Sequence, residues 1–227
     1  MKFLTLAFLM IMVALASAGC SNPSGFQTTF TSNSFNVAGG QSAYESGIIN
    51  IDFVGQRASS VFEIDIAGGQ KGSGFTWNFG ANQTSYYLSP EGQCYEASSS
   101  AQIPSGFPKV LKDIGSLTLG KFPVEMLEVE SDTPSLNQTV VFDLTNCVMV
   151  STYLINADES NPGYGTINFF NVGVPSDSDF QLPQVCIDVV GSSRPRIGFN
   201  HKRRNVEALT PISKTLQYTL NTFKIQN

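Results

Sequence analysis

The chain has 227 residues, 14% of them charged, a formal net charge of -5, one histidine and four cysteines. The negative total argues against a nucleic-acid partner, and the lone histidine leaves little for His-centred catalysis. Charge is also unevenly placed: five Lys/Arg stand against seventeen Asp/Glu from Gly19 to Ser193, and seven basic residues stand against Glu207 alone from Arg194 onward.

The chain opens with Lys2, an apolar run from Phe3 to Leu15 too short to span a bilayer, and the small-x-small site Ala16-Ser17-Ala18. These are the parts of a secretory signal peptide over residues 1–18. The competing reading is a lipoprotein anchored through Cys20. No second apolar run of spanning length follows, so the mature chain is expected to lack a transmembrane helix. Its length suits one domain, 19–190, followed by a basic C-terminal extension, 191–227.

Polar β-formers from Gly25 to Val37 suggest a first strand. Ile49, Ile51 and Phe53 alternate with Asn50 and Asp52, and Phe62, Ile64 and Ile66 alternate with Glu63 and Asp65, on either side of the turn Gly55-Gln56-Arg57. Period two means strands with one apolar face. After the turn Ala67 to Gly72, Phe75, Trp77 and Phe79 alternate with Thr76 and Asn78. The sequon Asn82-Gln83-Thr84 marks an exposed turn, and Ser85 to Leu88 returns toward Cys94. Four strands at such short spacing make an antiparallel meander.

Beyond Cys94, Ala97 to Pro104 is rich in Ser and Pro, and Pro108 to Ile114 is expected to form at most a short helix stopped by Gly115. Further strands are expected at Ser116–Leu119, Val124–Val129 and Thr139–Leu144, with a second sequon at Asn137-Gln138-Thr139. Cys147 to Ile155 is nearly continuously apolar and β-branched, as a central strand should be. An acidic turn precedes the last strand, Thr166–Val172. Helical periodicity is scarce, so the strands must cover one another, as a sandwich or as an open, strongly curved barrel.

In the tail, His201-Lys202-Arg203-Arg204 reads as a solvated basic cluster. Ile212, Leu216, Leu220 and Phe223 have helical spacing among residues that favour strands, which leaves that segment open. No nucleophile elbow, HExxH or phosphate loop occurs. A chance pair among the many carboxylates is the weak enzymatic alternative. Cys20, Cys94, Cys147 and Cys186 show no CxxC spacing, so in an exported chain they read as two disulfides with three pairings open.

The cysteines sit in ordered landmarks: Cys20; Asp52-Phe53 before Arg57; Pro90-Glu91-Gly92-Gln93-Cys94-Tyr95; Ile114-Gly115; Thr145-Asn146-Cys147-Val148; and Gly173-Val174-Pro175-Ser176 followed by Phe180-Gln181-Leu182-Pro183-Gln184-Val185-Cys186. In these the chain resembles the ependymin-related family of secreted glycoproteins, from Cys20 to Cys186. The resemblance implies an all-β fold of two curved antiparallel sheets forming a half-open barrel or sandwich with a deep hydrophobic pocket. It implies bridges Cys20–Cys147 and Cys94–Cys186, frequent homodimers, calcium association, an extracellular or lysosomal location, cell-matrix adhesion, and a lipid or fatty acid as ligand. Two departures stand out. Phe122 and Pro123 occupy the place of an expected tryptophan, and the chain runs on well past Cys186.

Together these readings describe a secreted, non-enzymatic glycoprotein that carries an apolar molecule, with sugars on Asn82 and Asn137. The expected pocket wall is Phe75, Trp77 and Phe79, with Ile64 and Ile66 opposite. The alternative is an adhesion or carbohydrate-binding β-sandwich without an internal ligand, which would show an exposed aromatic platform.

Overall fold

The computed structural model describes residues 24–99, 103–131 and 133–190. The expected signal peptide, Cys20, His201 and the basic extension lie outside the described residues. Eleven strands form: β1 (Gly25–Phe35), β2 (Ala43–Asp52), β3 (Arg57–Ile66), β4 (Gln70–Phe79), β5 (Thr84–Leu88), β6 (Cys94–Ser98), β7 (Val110–Leu119), β8 (Phe122–Val129), β9 (Leu136–Asp143), β10 (Val148–Asn156) and β11 (Tyr164–Gly173).

The class read from alternation is the one observed, all-β and antiparallel throughout. The order across the sheet is β6-β5-β4-β3-β2-β1-β11-β10-β9-β8-β7. Two meanders, β1 to β6 and β7 to β11, therefore join where the first strand pairs with the last, and the two expected halves become one continuous open sheet. Chain direction explains the meanders: short turns return each strand beside its predecessor. Between β3 and β4 the return uses Gly68 and Gly69, both in the left-handed region that glycine enters without a Cβ clash.

One face of the sheet holds the main core. Phe26 and Phe30 of β1, Ile49 and Ile51 of β2, Val140 and Phe142 of β9 and Ile167 and Phe169 of β11 belong to one buried cluster. The loop before β7 lays Phe107 across it, its ring centroid 6.3 Å from that of Phe53 and 5.1 Å from that of Phe142. A single ring thus links residues from β9 and from just beyond β2, four places apart in the sheet, so this inner face is concave there.

The opposite, outer face is crossed by the chain after β11. Its 3-10 turn Asp177–Phe180 and one-turn helix Gln184–Ile187 form a strap over β3 to β6. Asn50 on β2 accepts from Gln27 at 2.7 Å and donates to Ser59 at 3.0 Å, and Ser59 donates to the Asp179 carbonyl at 2.7 Å. Arg57 pairs with Asp52 at 2.8 Å and with Asp177, and its guanidinium lies 4.4 Å above the Phe180 ring. The Cys94–Cys186 disulfide closes the strap.

Burial pushes the Asp52 carboxyl up, but the Gly55 N–H and the Arg57 guanidinium outweigh it and hold the group below its ordinary value. A depressed folded-state value stabilises fully above the unfolded pKa of about 3.9 and is lost as pH falls through the folded value. Asp52→Asn is therefore expected to cost about 1–2 kcal/mol at pH 7 and nothing near pH 2. Urea melts at the two pH values check this, and an equal cost at both would contradict it.

Two details differ from expectation. Residues 110–114 are the first half of β7 and not a short helix: they pair with β8 through register shifts around Leu111 and Ile114, and Gly115 sits at the second bulge. β7 is an edge strand with a mostly exposed pattern, so the apolar alternation that signals a strand is weak there. The expectation of a central strand at 147–155 holds, since β10 lies between β9 and β11.

Candidate functional site

At the β2–β4 end of the inner face, Phe62, Ile64 and Ile66 form a separate apolar row, joined by Ala43 and Tyr87. The row has glycine neighbours. Phe62 faces Gly47 on β2 and Gly74 on β4, and Ile64 faces Gly72. Glycine inside a strand weakens it but lets other groups approach closely. A Cβ on Gly74 would stand 2.4 Å from Tyr87 Cε2, and one on Gly47 would stand 2.0 Å from the Val61 carbonyl oxygen. The vacated space admits the Tyr87 ring, stacked on Phe62 at 6.4 Å between centroids. The Tyr87 hydroxyl then donates to the Ser73 carbonyl at 2.9 Å. Because β5 pairs only with Phe75–Phe79, this is one of few contacts along the first half of β4 on that side among the described residues.

A cavity of about 450 Å³ opens here, a size within the usual range for small-molecule sites. Ile64, Gly72 and Tyr87 line it from the inner face, Tyr44, Ser46, Glu63, Asp65, Lys71 and Ser73 line it from the outer face, and Glu91 stands at its edge, so the cavity is lined from both faces of the sheet. Lys71 is spent on Asp65 at 3.0 Å. The Ser89 hydroxyl and its own backbone N–H hold the Glu91 carboxyl below its ordinary value, so it is ionised at neutral pH. Burial, then Glu91 and Tyr95, push the Tyr87 hydroxyl up, so it keeps its proton. The charged part of the lining is thus net negative.

The five residues expected to share a pocket do not share a face. Ile64 and Ile66 point inward with Phe62. Phe75, Trp77 and Phe79 face Val61, Ser59 and Arg57 across the register, which is the outer face. There Trp77, 8% exposed, packs with Tyr86 and Cys186 beneath the strap, while Phe75 is 41% exposed. Sequence reasoning missed Tyr87, Gly72 and Gly74. The available signal was the spacing Gly72-x-Gly74 inside a strand, opposite the large side chains of β3.

Of the expected bridges, Cys94–Cys186 forms. Cys147 is also disulfide-bonded. Asn82 and Asn137 are both exposed, as acceptors of sugar must be. Among the described residues, no group of three or more His, Cys, Asp or Glu side chains is placed to hold a metal ion, so no residues are assigned to calcium. No described helix is long and apolar enough to cross a membrane.

Several known proteins resemble this chain. An uncharacterised protein of Dictyostelium discoideum is 25% identical over 178 residues, which span 74% of this chain and 56% of that protein; the chain thus matches little more than half the length of its curated relative. Among solved structures, MucB in complex with MucA(peri) aligns over 77% of this chain and 59% of that one, at 15% identity and TM-score 0.39. A LolA superfamily protein from Nitrosomonas europaea aligns over 73% and 94%, at 9% identity and TM-score 0.33. The model of the amoebozoan ependymin domain matches residues 18–209, from before the described β-sheet to beyond the strap. That match takes in every landmark from Cys20 to Cys186, and the chain belongs to the ependymin family.

Proposed function

We propose that this protein is an exported, non-enzymatic binder of an apolar or amphipathic molecule, a lipid or fatty acid. The apolar part would lie against Ile64 and Tyr87, at the edge of the inner row, and the polar end would sit among the charged side chains of the lining. The observation that carries this reading is the cavity of about 450 Å³ bounded by Ile64 and Tyr87 beside that row. The burial of an acyl chain supplies roughly 0.8 kcal/mol per methylene.

The charged lining refines the ligand class. With Glu63, Asp65 and Glu91 against a single lysine already paired, an anionic headgroup meets repulsion. Neutral or zwitterionic heads, such as acylglycerols or choline lipids, suit it better than a free fatty acid. The test is native mass spectrometry of protein purified from its own organism, followed by solvent extraction of what leaves it. Stoichiometric lipid with a neutral or zwitterionic head is the expected result. An empty protein, which also fails to take up added lipid, would overturn the reading.

A further inference from the structure

The outer face of β10, β11, β1 and β2 has a composition unlike the rest of the surface. Each of these four neighbouring strands places an exposed aromatic ring there, Tyr153, Tyr164, Phe35 and Tyr44, respectively 39%, 60%, 51% and 44% exposed, and β11 adds Phe170 further along at 47%. Tyr164 stands directly opposite Phe35, with 5.7 Å between ring centroids. One pair further along, Tyr153 faces Thr166, Thr166 faces Asn33, and Asn33 faces Tyr44. The rings therefore form a shallow arc across three strand spacings, about 14 Å, with amide and hydroxyl groups between its ends.

The same face is nearly free of charge. Along all four strands the charged residues are Glu45, which points inward, and Asp52, whose carboxylate is held by Arg57 at 2.8 Å. In a chain of net charge -5, with 14% charged residues, a four-strand surface of Thr, Ser, Asn, Gln and aromatic side chains, with Ile48 and Ile155 exposed among them, is selective in what it attracts. It offers nothing to an ionic partner. It offers flat apolar faces flanked by neutral donors and acceptors, and exposed apolar surface of this extent marks an interaction site.

We propose that this row binds a polysaccharide chain of neutral sugars. A sugar ring has an apolar face of C–H groups and a rim of hydroxyls, which match an aromatic ring and the flanking Asn33 and Thr166. The adjacent pair Tyr164 and Phe35, 5.7 Å between ring centroids, is spaced close to the rise of one sugar unit in an extended β-linked chain. A second protein copy fits less well. The sequon residue Asn137 stands on this face opposite Ile155, which itself faces Tyr164, so a glycan there obstructs flat closure of another protein and leaves the row open to a thin chain. Tyr44 also lines the cavity, whereas Tyr153, Tyr164 and Phe35 do not, so the inference is tested on those rings.

The test is co-sedimentation of the intact, glycosylated protein with microcrystalline cellulose, chitin and insoluble β-1,3-glucan, in 1 M NaCl to suppress ionic contacts. Binding to at least one polymer is expected. Tyr164→Ala and Tyr153→Ala should each weaken it about tenfold, while Phe75→Ala, on the same face but off the row, should not change it. A cooperative urea melt would confirm that each variant is folded, and either tyrosine variant suffices. The proposal is overturned if no polymer is bound, if Phe75→Ala has the same effect, or if light scattering finds a dimer that Tyr164→Ala dissociates, which would assign the face to a second copy.

Discussion

Replacing Cys94 and Cys186 together by alanine is expected to lower the unfolding free energy by about 4 to 5 kcal/mol, the chain-entropy value for a long closed loop. The bridge spans 92 residues and ties β6 to the strap. Beneath it lie Trp77 and Tyr86, with Phe79, Leu88 and Leu182 packed alongside. Without the bridge, the strap retains the Arg57–Asp177 pair and the Ser59 hydrogen bond. Asp177 is 85% exposed, so that pair contributes little on its own. The double variant should therefore melt earlier in urea and shift Trp77 emission to the red, and a reductant should do the same to the unaltered protein. A loss under 1 kcal/mol with unchanged emission would mean that the strap is held by other contacts.

Phe62→Ala is expected to cost 3 to 5 kcal/mol, the range for removing a buried phenylalanine ring. Phe62 is 2% exposed, and its cross-strand neighbours Gly47 and Gly74 have no side chains with which to fill the void. Phe75→Ala on the adjacent strand should cost about 1 kcal/mol or less, because that ring already stands 41% exposed on the other face. The contrast separates the two faces of the β3–β4 pair in one experiment. Similar losses for the two variants would contradict the assignment of Phe62 to the inner wall and Phe75 to the outer surface.

That contrast also shows what the sequence could and could not reveal. Strands β2, β3, β4 and β10 were legible because every second residue is apolar or because the run is continuously so, and β7 was not, because an edge strand needs no such pattern. The row Phe75-Trp77-Phe79 reads as strongly apolar, yet alternation identifies a face without saying which side of the sheet it occupies. The cover for Trp77 comes from Leu182 and Cys186, about a hundred residues later, and only the fold brings them over it. The pairing of β1 with β11 is likewise non-local and has no local signal. The cysteine landmarks were the exception: they pointed to Cys94–Cys186 and to the family because their order along the chain is itself the pattern.

The candidate site was hidden for a related reason. Ile64 is visible on a strand face, but the space beside it comes from residues that read as absences: Gly72 lines the cavity and Gly74 makes room for Tyr87. Tyr87 fills part of that space through a backbone hydrogen bond that no side-chain pattern encodes. The carboxylates Glu63 and Asp65 alternate with Ile64 along one strand, so they stand on the opposite face of β3 and line the cavity from that side.

Photo-crosslinking of the intact protein with a zwitterionic choline lipid bearing a diazirine on its acyl chain, followed by peptide mapping of the labelled residues, tests the inner-face site most directly. The expected label falls on Ile64, Gly72 and Tyr87 and is competed by unmodified lipid. Label confined to outer-face residues such as Phe75 and Ile48, or no competable label at all, would contradict it.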